Sequence, residues 1–267
     1  MAVQGGLLAL PAEIRNAIFE HTFYHAEAGL RTKLHNAVVL DEDYSAYQKL
    51  QCLLTCRQFS DDASLLAFHQ TSFVVTNLFI NIPQRLSLLQ PARLQALRSI
   101  AYVADARHFI KLHVHHWKSY PFGIPQLRLD TLTIILHRSS AWHYLFDYTA
   151  NIVQLLRGLQ GVKRFVFVRN QAFVKGSFKT WYNRLVGLIL KVDHHQRYNI
   201  FPPQPEQTWW SWSFDEPAQT FCLTVLPPKP IVDERIYIEG ILPLVEELRI
   251  SVENEEWNPD PRSWNGT

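Results

Sequence analysis

Between Pro11 and about Tyr24, Ile14, Ala17, Ile18, His21 and Thr22 recur at three-to-four-residue spacing, and Phe19 and Phe23 widen the apolar side. That period predicts an amphipathic helix, and Pro11 suits its first turn, where a missing N–H costs nothing. Gly29 to Asp43 reads as an insertion with a short extended piece at Ala37-Val38-Val39-Leu40. A second helical stretch begins near Ser45, its stripe running through Cys52, Cys56, Phe59, Ala63 and Leu66. Thr71 to Thr76 is strand-like by its β-branched content.

Further along, strand-like runs at Phe73–Thr76, Ser99–Val103, Leu132–Leu136 and Phe165–Val168 recur 26 to 33 residues apart. Helical patterns fill the intervals at Pro83–Leu97 (broken at Pro91), Asp105–Trp117 and Ala141–Leu159, and another follows at Lys179–Val192. Strands separated by helices at this interval imply right-handed parallel crossovers. The fold class is α/β, either a short sheet or an irregular leucine-rich-repeat-like succession without the repeat's consensus. After the Pro-rich Phe201–Pro205, Trp209–Phe214 and Thr220–Val225 predict an antiparallel hairpin. Alternation assigns Trp210, Trp212 and Phe214 to its core face and leaves Trp209 on the other. A last helix-like stretch and a strand at Leu248–Val252 precede residues 253–267, an acidic, Asn- and Pro-containing tail expected to be disordered. Residues 1–70, 71–252 and 253–267 form the expected divisions.

Hydrophobic residues make up 47% of the chain and charged ones 19%, ample for a core and against general disorder. No run reaches the roughly 18 apolar residues that span a bilayer. The first residues lack the basic region of a secretory signal, and three cysteines make no disulfide framework. A reduced protein of cytoplasm or nucleus is the expectation. Charge is segregated: residues 81–200 hold 17 basic and 4 acidic side chains, residues 201–267 hold 4 and 12. The basic middle could face an anionic partner, nucleic acid included, or be shielded by the acidic segment Asp233 to Asp260.

Catalytic and metal chemistry finds little footing. His108, His113, His115 and His116 cluster beside Trp117, but acids that could complete a metal site are scarce nearby. Asp193-His194-His195 follows a helical pattern with no partner aspartates in view. Cys52 and Cys56 lie on the core stripe and read as buried small hydrophobes rather than a redox pair. Gly-x-Ser-x-Gly, His-Glu-x-x-His, Walker and Gly-x-Gly-x-x-Gly patterns are absent. No cofactor, metal or catalytic residue is assigned.

The first quarter carries the one recognisable motif pair. Leu10-Pro11-Ala12-Glu13-Ile14 opens a helix, Thr55-Cys56-Arg57-Gln58-Phe59 opens a later one, and Phe68-x-x-Thr71-x-Phe73-Val74 follows. The set resembles an F-box, more specifically the F-box-like proteins abundant in filamentous fungi. Roughly 30 residues separate the two helices, and Phe59 stands where the family prefers Trp. The resemblance implies a helical module docking on the Skp-type adaptor of a cullin–RING ubiquitin ligase. Leu10, Pro11, Ile14, Ile18 and Phe19 would supply the contact, completed by Cys56, Arg57 and Phe59. The remainder would act as a substrate receptor. Two other readings stand beside it, a binding module for an anionic macromolecule and an enzyme without a sequence signature. If the helices dock on a partner, they must carry more apolar surface than their own molecule covers.

Overall fold

A computed structural model describes residues 6–24, 29–33, 36–105, 117–138, 149–174 and 176–258. The expected helix Asp105–Trp117, the first part of Ala141–Leu159, the four clustered histidines and residues 259–267 fall outside or largely outside them.

The N-terminal module opens with α1 (Ala12–Phe23). The insertion folds as a two-stranded antiparallel hairpin, β1 (Leu30–Thr32) and β2 (Val38–Leu40). The second helical stretch is broken in two. α2 (Ala46–Leu50) passes into a 3-10 turn, and α3 (Arg57–Gln70) starts afresh after Cys56 in extended backbone. Cys56 is therefore an exposed helix cap whose Sγ accepts from the Phe59 N–H at 3.4 Å, and Cys52 is only half-buried. The predicted stripe is corrected at Cys56, which the break leaves exposed; Ala63 is buried, and Cys52, Phe59 and Leu66 pack half-buried against the same core, joined by Leu53 and Ala67.

A six-stranded sheet forms the body, in the order β3-β4-β5-β6-β8-β7. β3 (Ser72–Val75), β4 (Ser99–Ala104), β5 (Leu129–Leu136) and β6 (Val162–Val168) are parallel and sequential. β8 (Thr220–Leu226) adds antiparallel to β6, and β7 (Trp209–Asp215) closes the edge. These strands begin and end within three residues of their sequence-based positions. Strands buried on both faces read as near-continuous apolar runs, which is why Leu132–Leu136 and Phe165–Val168 were visible.

The two faces are covered differently. Ile100, Tyr102, Leu132, Ile134, Phe165, Phe167 and Phe221 face α4 (Ile82–Ser87), α6 (Thr149–Gly158) and α7 (Phe178–Tyr198). Between α4 and β4 lies α5 (Pro91–Ala96), which starts at the proline where the sequence placed the break. On the other face, Ala101, Val103, Ile135, Val166 and Val168 pack under Leu30, Val38 and Leu40 of the hairpin. Gly29 permits that close approach: its φ is +78°, and a Cβ there would stand 2.4 Å from Val74 Cγ2.

The C-terminal segment departs most from expectation. Glu234–Trp257 is one helix, α8, and the strand predicted at Leu248–Val252 is its fifth turn and the start of its sixth. The expected disordered tail is likewise helical as far as Trp257. Tyr237, Ile241, Leu244 and Leu248 recur at helical spacing and pack on α7. At its far end Glu255 accepts from Ser177 Oγ (2.5 Å), Thr180 Oγ1 and Asn183 Nδ2 (3.1 Å) at the start of α7. A carboxylate beside a helix N-terminus is favourable.

Buried Asn170, at φ +50°, joins hairpin and sheet. Its Oδ1 accepts from the Leu40 N–H at 3.0 Å and its Nδ2 donates to the Leu136 carbonyl at 3.1 Å. Asn170→Ala leaves both backbone groups unpaired in a strained conformation. Urea unfolding is expected to show a loss of about 2–4 kcal/mol, and Asn170→Gly, free of the backbone strain, a smaller one.

Candidate functional site: an uncovered helix face and a buried charge cluster

α1 has two apolar sides, and the molecule uses one. Phe19 and Phe23 are buried against Leu53, Ala63 and Ala67, with Phe59 edge-on to Phe19 at 4.8 Å. The alanines matter because their small side chains make room for the rings. Arg15 bridges to Asp62 on α3 at 3.0 Å and donates to the Leu10 carbonyl at 2.8 Å, which fixes the rotation of α1 and the path of the chain entering it. In that setting Ile14 and Ile18, one turn apart on α1, face outward, 51% and 38% exposed, and Leu10, in the extended backbone that leads into the helix, is 38% exposed. Pro11 lies beside them, also exposed, and Leu54 from the 3-10 turn adds another uncovered leucine.

The motif residues thus divide. Ile14 and Ile18 lie exposed on α1, and Leu10 and Pro11 lie exposed just before its first turn; Phe19 is core. Cys56 caps α3, Arg57 is exposed in its first turn, and Phe59 is half-buried inside the module.

A second concentration of chemistry was missed by sequence reasoning. Asp193 and Arg197, one turn apart on α7, are wholly buried. Arg197 Nε donates to Asp193 Oδ1 at 3.0 Å, and its Nη2 donates to both Glu206 oxygens at 2.6 and 2.5 Å. Arg157, from the last turn of α6, donates to Asp193 Oδ1 at 3.0 Å, and Tyr237 of α8 donates its hydroxyl to Oδ2. Lys229 Nζ sits 3.9 Å from Oδ2 and 3.3 Å above the centre of the Trp209 ring, without a hydrogen bond. The cation explains why Trp209, assigned to the outer face of its strand, is buried: Lys229 covers the ring.

Burial alone would push the Asp193 carboxyl up, but its hydrogen bonds and the Arg197 charge bring it below its ordinary value. Tyr237 is raised by burial and by donating to Asp193. Desolvation lowers Lys229 to about 8, against the pull of Asp193 and Glu206. Every carboxylate oxygen in the cluster is engaged within the protein, so the cluster ties α6, α7, α8 and the intervening loops together. A cleft of about 510 Å³ borders it, lined by Arg157 with Gln154, Gln196, Gln204 and Lys118.

Several cations of the basic middle are engaged within the protein. Arg157, Arg169 and Arg197 are engaged inside the protein. Arg98 and Lys163 pair with Asp130, Arg138 with Glu42 and Lys179 with Glu216. Among the described residues no three His, Cys, Asp or Glu side chains could hold a metal ion, and Asp193 of the Asp-His-His run belongs to the cluster above. No helix among them is long and apolar enough to cross a membrane. Comparison of the chain with protein-family models, with curated proteins and with solved structures found no match.

The folded protein releases the Lys229 proton near pH 8 and the unfolded chain near 10.5. Between those values the unfolded state binds more protons, so stability rises with pH, and the gain is lost as pH falls through 8. Lys229→Met is expected to flatten that rise; melting temperatures of both proteins from pH 7 to 10.5 check it. Arg197→Met strands two buried carboxylates and is expected to cost about 3–5 kcal/mol in urea unfolding.

Proposed function

We propose that the chain is an F-box-like interaction adaptor. The outer stripe of α1 docks on a Skp-type adaptor of a cullin–RING ubiquitin ligase, and the strand–helix body, read as an irregular leucine-rich-repeat-like unit, presents the surface that receives a protein substrate. One observation carries this reading: Ile14 and Ile18, with Leu10 just before the helix, are exposed while Phe19 and Phe23 of the same helix are buried. A helix that served only to cap the body would need a single apolar side. Covering large aliphatic side chains is worth about 1.5–3 kcal/mol for each one fully buried, so an apolar helical groove on the partner would gain substantially from this stripe. The motif residues Leu10, Pro11, Ile14 and Ile18 are those the F-box resemblance assigns to adaptor contact. Phe19 becomes the internal anchor that orients them, and Cys56 and Phe59 begin and brace the second helix.

The test is co-purification and titration with a purified Skp-type adaptor. Ile14→Asp/Ile18→Asp is expected to fold with stability within about 1 kcal/mol of the parent, since both positions are exposed, and to lose adaptor affinity at least a hundredfold. Capture equal to the parent's, or no capture of the parent under conditions that retain a known F-box protein, overturns the proposal.

A further inference from the structure

The cleft of about 510 Å³ beside the charge cluster is lined with carboxamides. Asn151 and Gln154 stand three residues apart on α6 and share one of its faces, Gln196 comes from α7, and Gln204 from the loop that follows α7. None of these four side chains is hydrogen-bonded to another of the described residues. Each carries two N–H donors and a carbonyl acceptor, so the lining holds unspent donors and acceptors alike. The segments that carry them are fastened to one another. The Gln204 N–H donates to the Gln196 carbonyl at 2.9 Å, and the Gln207 N–H to the Arg157 carbonyl at 2.8 Å. Arg157 Nη2 donates to the Gln204 carbonyl at 2.7 Å, while its Nη1 is anchored on buried Asp193 at 3.0 Å. The Gln160 N–H, just past α6, donates to the Ser119 carbonyl at 2.8 Å and so ties in the segment that brings Lys118 to the cleft. Walls fixed before binding lose less freedom when a ligand enters.

The lining also selects by charge and by shape. Glu206 is its one carboxylate, and both of its oxygens are taken by Arg197, one of them by the Lys229 N–H as well. Lys118 is exposed and has no ion-pair partner among the described residues. An anionic group therefore finds an open counter-charge in the cleft, and a cationic one does not. No aromatic ring lines it, which leaves a nucleic-acid base without a platform to stack on. A peptide main chain offers an N–H and a C=O at every residue, and a set of carboxamides can pair with both, whatever side chains the peptide bears.

We propose that this cleft binds a short extended peptide segment bearing a carboxylate, its main chain held by Gln154, Gln196 and Gln204 and its acid by Lys118. Identifying that segment with a ligase substrate rests on the adaptor reading; the binding itself does not, and is measured without the adaptor. The probe is acetyl-Ala-Ala-Asp-Ala-Ala-amide, titrated to about 20 mM into the isotope-labelled full chain while the side-chain amide signals of Asn151, Gln154, Gln196 and Gln204 are followed. These signals are expected to shift saturably, with a dissociation constant of about 0.1–5 mM, the range of a few polar contacts in an open cleft. The same peptide with Asn in place of Asp is expected to bind about threefold more weakly, and Lys118→Gln to erase that difference. Gln154→Ala/Gln196→Ala is expected to weaken binding about tenfold, and far-UV circular dichroism and urea unfolding confirm that each variant is folded. Ile14→Asp/Ile18→Asp binds the peptide as the parent does, and Gln154→Ala/Gln196→Ala keeps the Skp-type adaptor, so the two readings fail separately. Signals unmoved by the peptide overturn the proposal, and so does equal binding by the parent and Gln154→Ala/Gln196→Ala. Saturable shifts with glucose 6-phosphate but none with the peptide would overturn it in favour of a small polyhydroxylated anion. Equal affinity of the parent for the Asp and Asn peptides refutes the part given to Lys118.

Discussion

The packing of Phe19 and Phe23 against Ala63 and Ala67 decides how the N-terminus of this protein meets its surroundings. Two aromatic rings fit over two alanines only in one rotation of α1, and Arg15 bridging to Asp62 holds that rotation. Once it is set, Ile14 and Ile18 have nowhere to point but outward. Their exposure is therefore a consequence of good packing elsewhere on the same helix. The functional proposal depends on that distinction, since the helix is amphipathic twice over and its own module covers one side.

The same requirement, that apolar surface find cover, organises the body. A parallel sheet needs both faces covered. Here helices supply one face, and the β1–β2 hairpin supplies part of the other through Leu30, Val38 and Leu40. The hairpin comes from the segment that separates α1 from α2 and α3, so what looks in sequence like an overlong spacer is a structural tie between module and sheet, fastened by Asn170. At the opposite end of the chain, α8 is pinned to α7 twice: Tyr237 meets Asp193 near its start, and Glu255 meets Ser177, Thr180 and Asn183 near its end. One long helix is thereby held by a narrow strip and leaves most of its circumference in solvent.

The parallel strands were legible because their residues carry a local signal. Runs such as Leu132 to Leu136 and Phe165 to Val168 are apolar on both faces. Their starts were placed three residues late, because the polar pairs Asp130-Thr131 and Lys163-Arg164 lie inside the strands. The uncovered side of α1 was legible as surplus apolar surface, although assigning Phe19 to the contact required knowing which side Ala63 and Ala67 receive. Leu248-Arg249-Ile250-Ser251-Val252 alternates like a strand, and only its packing on α7 makes it helix. Cys56 fell on an apparent continuous stripe because nothing in its neighbours announces the extended backbone that breaks the helix. The charge cluster had one local trace, Asp193 and Arg197 four apart. Its other members, Arg157, Glu206, Lys229 and Tyr237, come from four separate segments that meet only in the fold.

The central claim is that Ile14 and Ile18 are free in the isolated protein and covered in its working state. Methyl spectra of isoleucine-labelled protein, titrated with a Skp-type adaptor, test this directly, with Ile134 and Ile152 in the core and Ile238 on α8 as internal references. The account predicts that the Ile14 and Ile18 methyl signals shift on binding while the reference methyls hold their positions. A saturating titration that leaves Ile14 and Ile18 unmoved would contradict it.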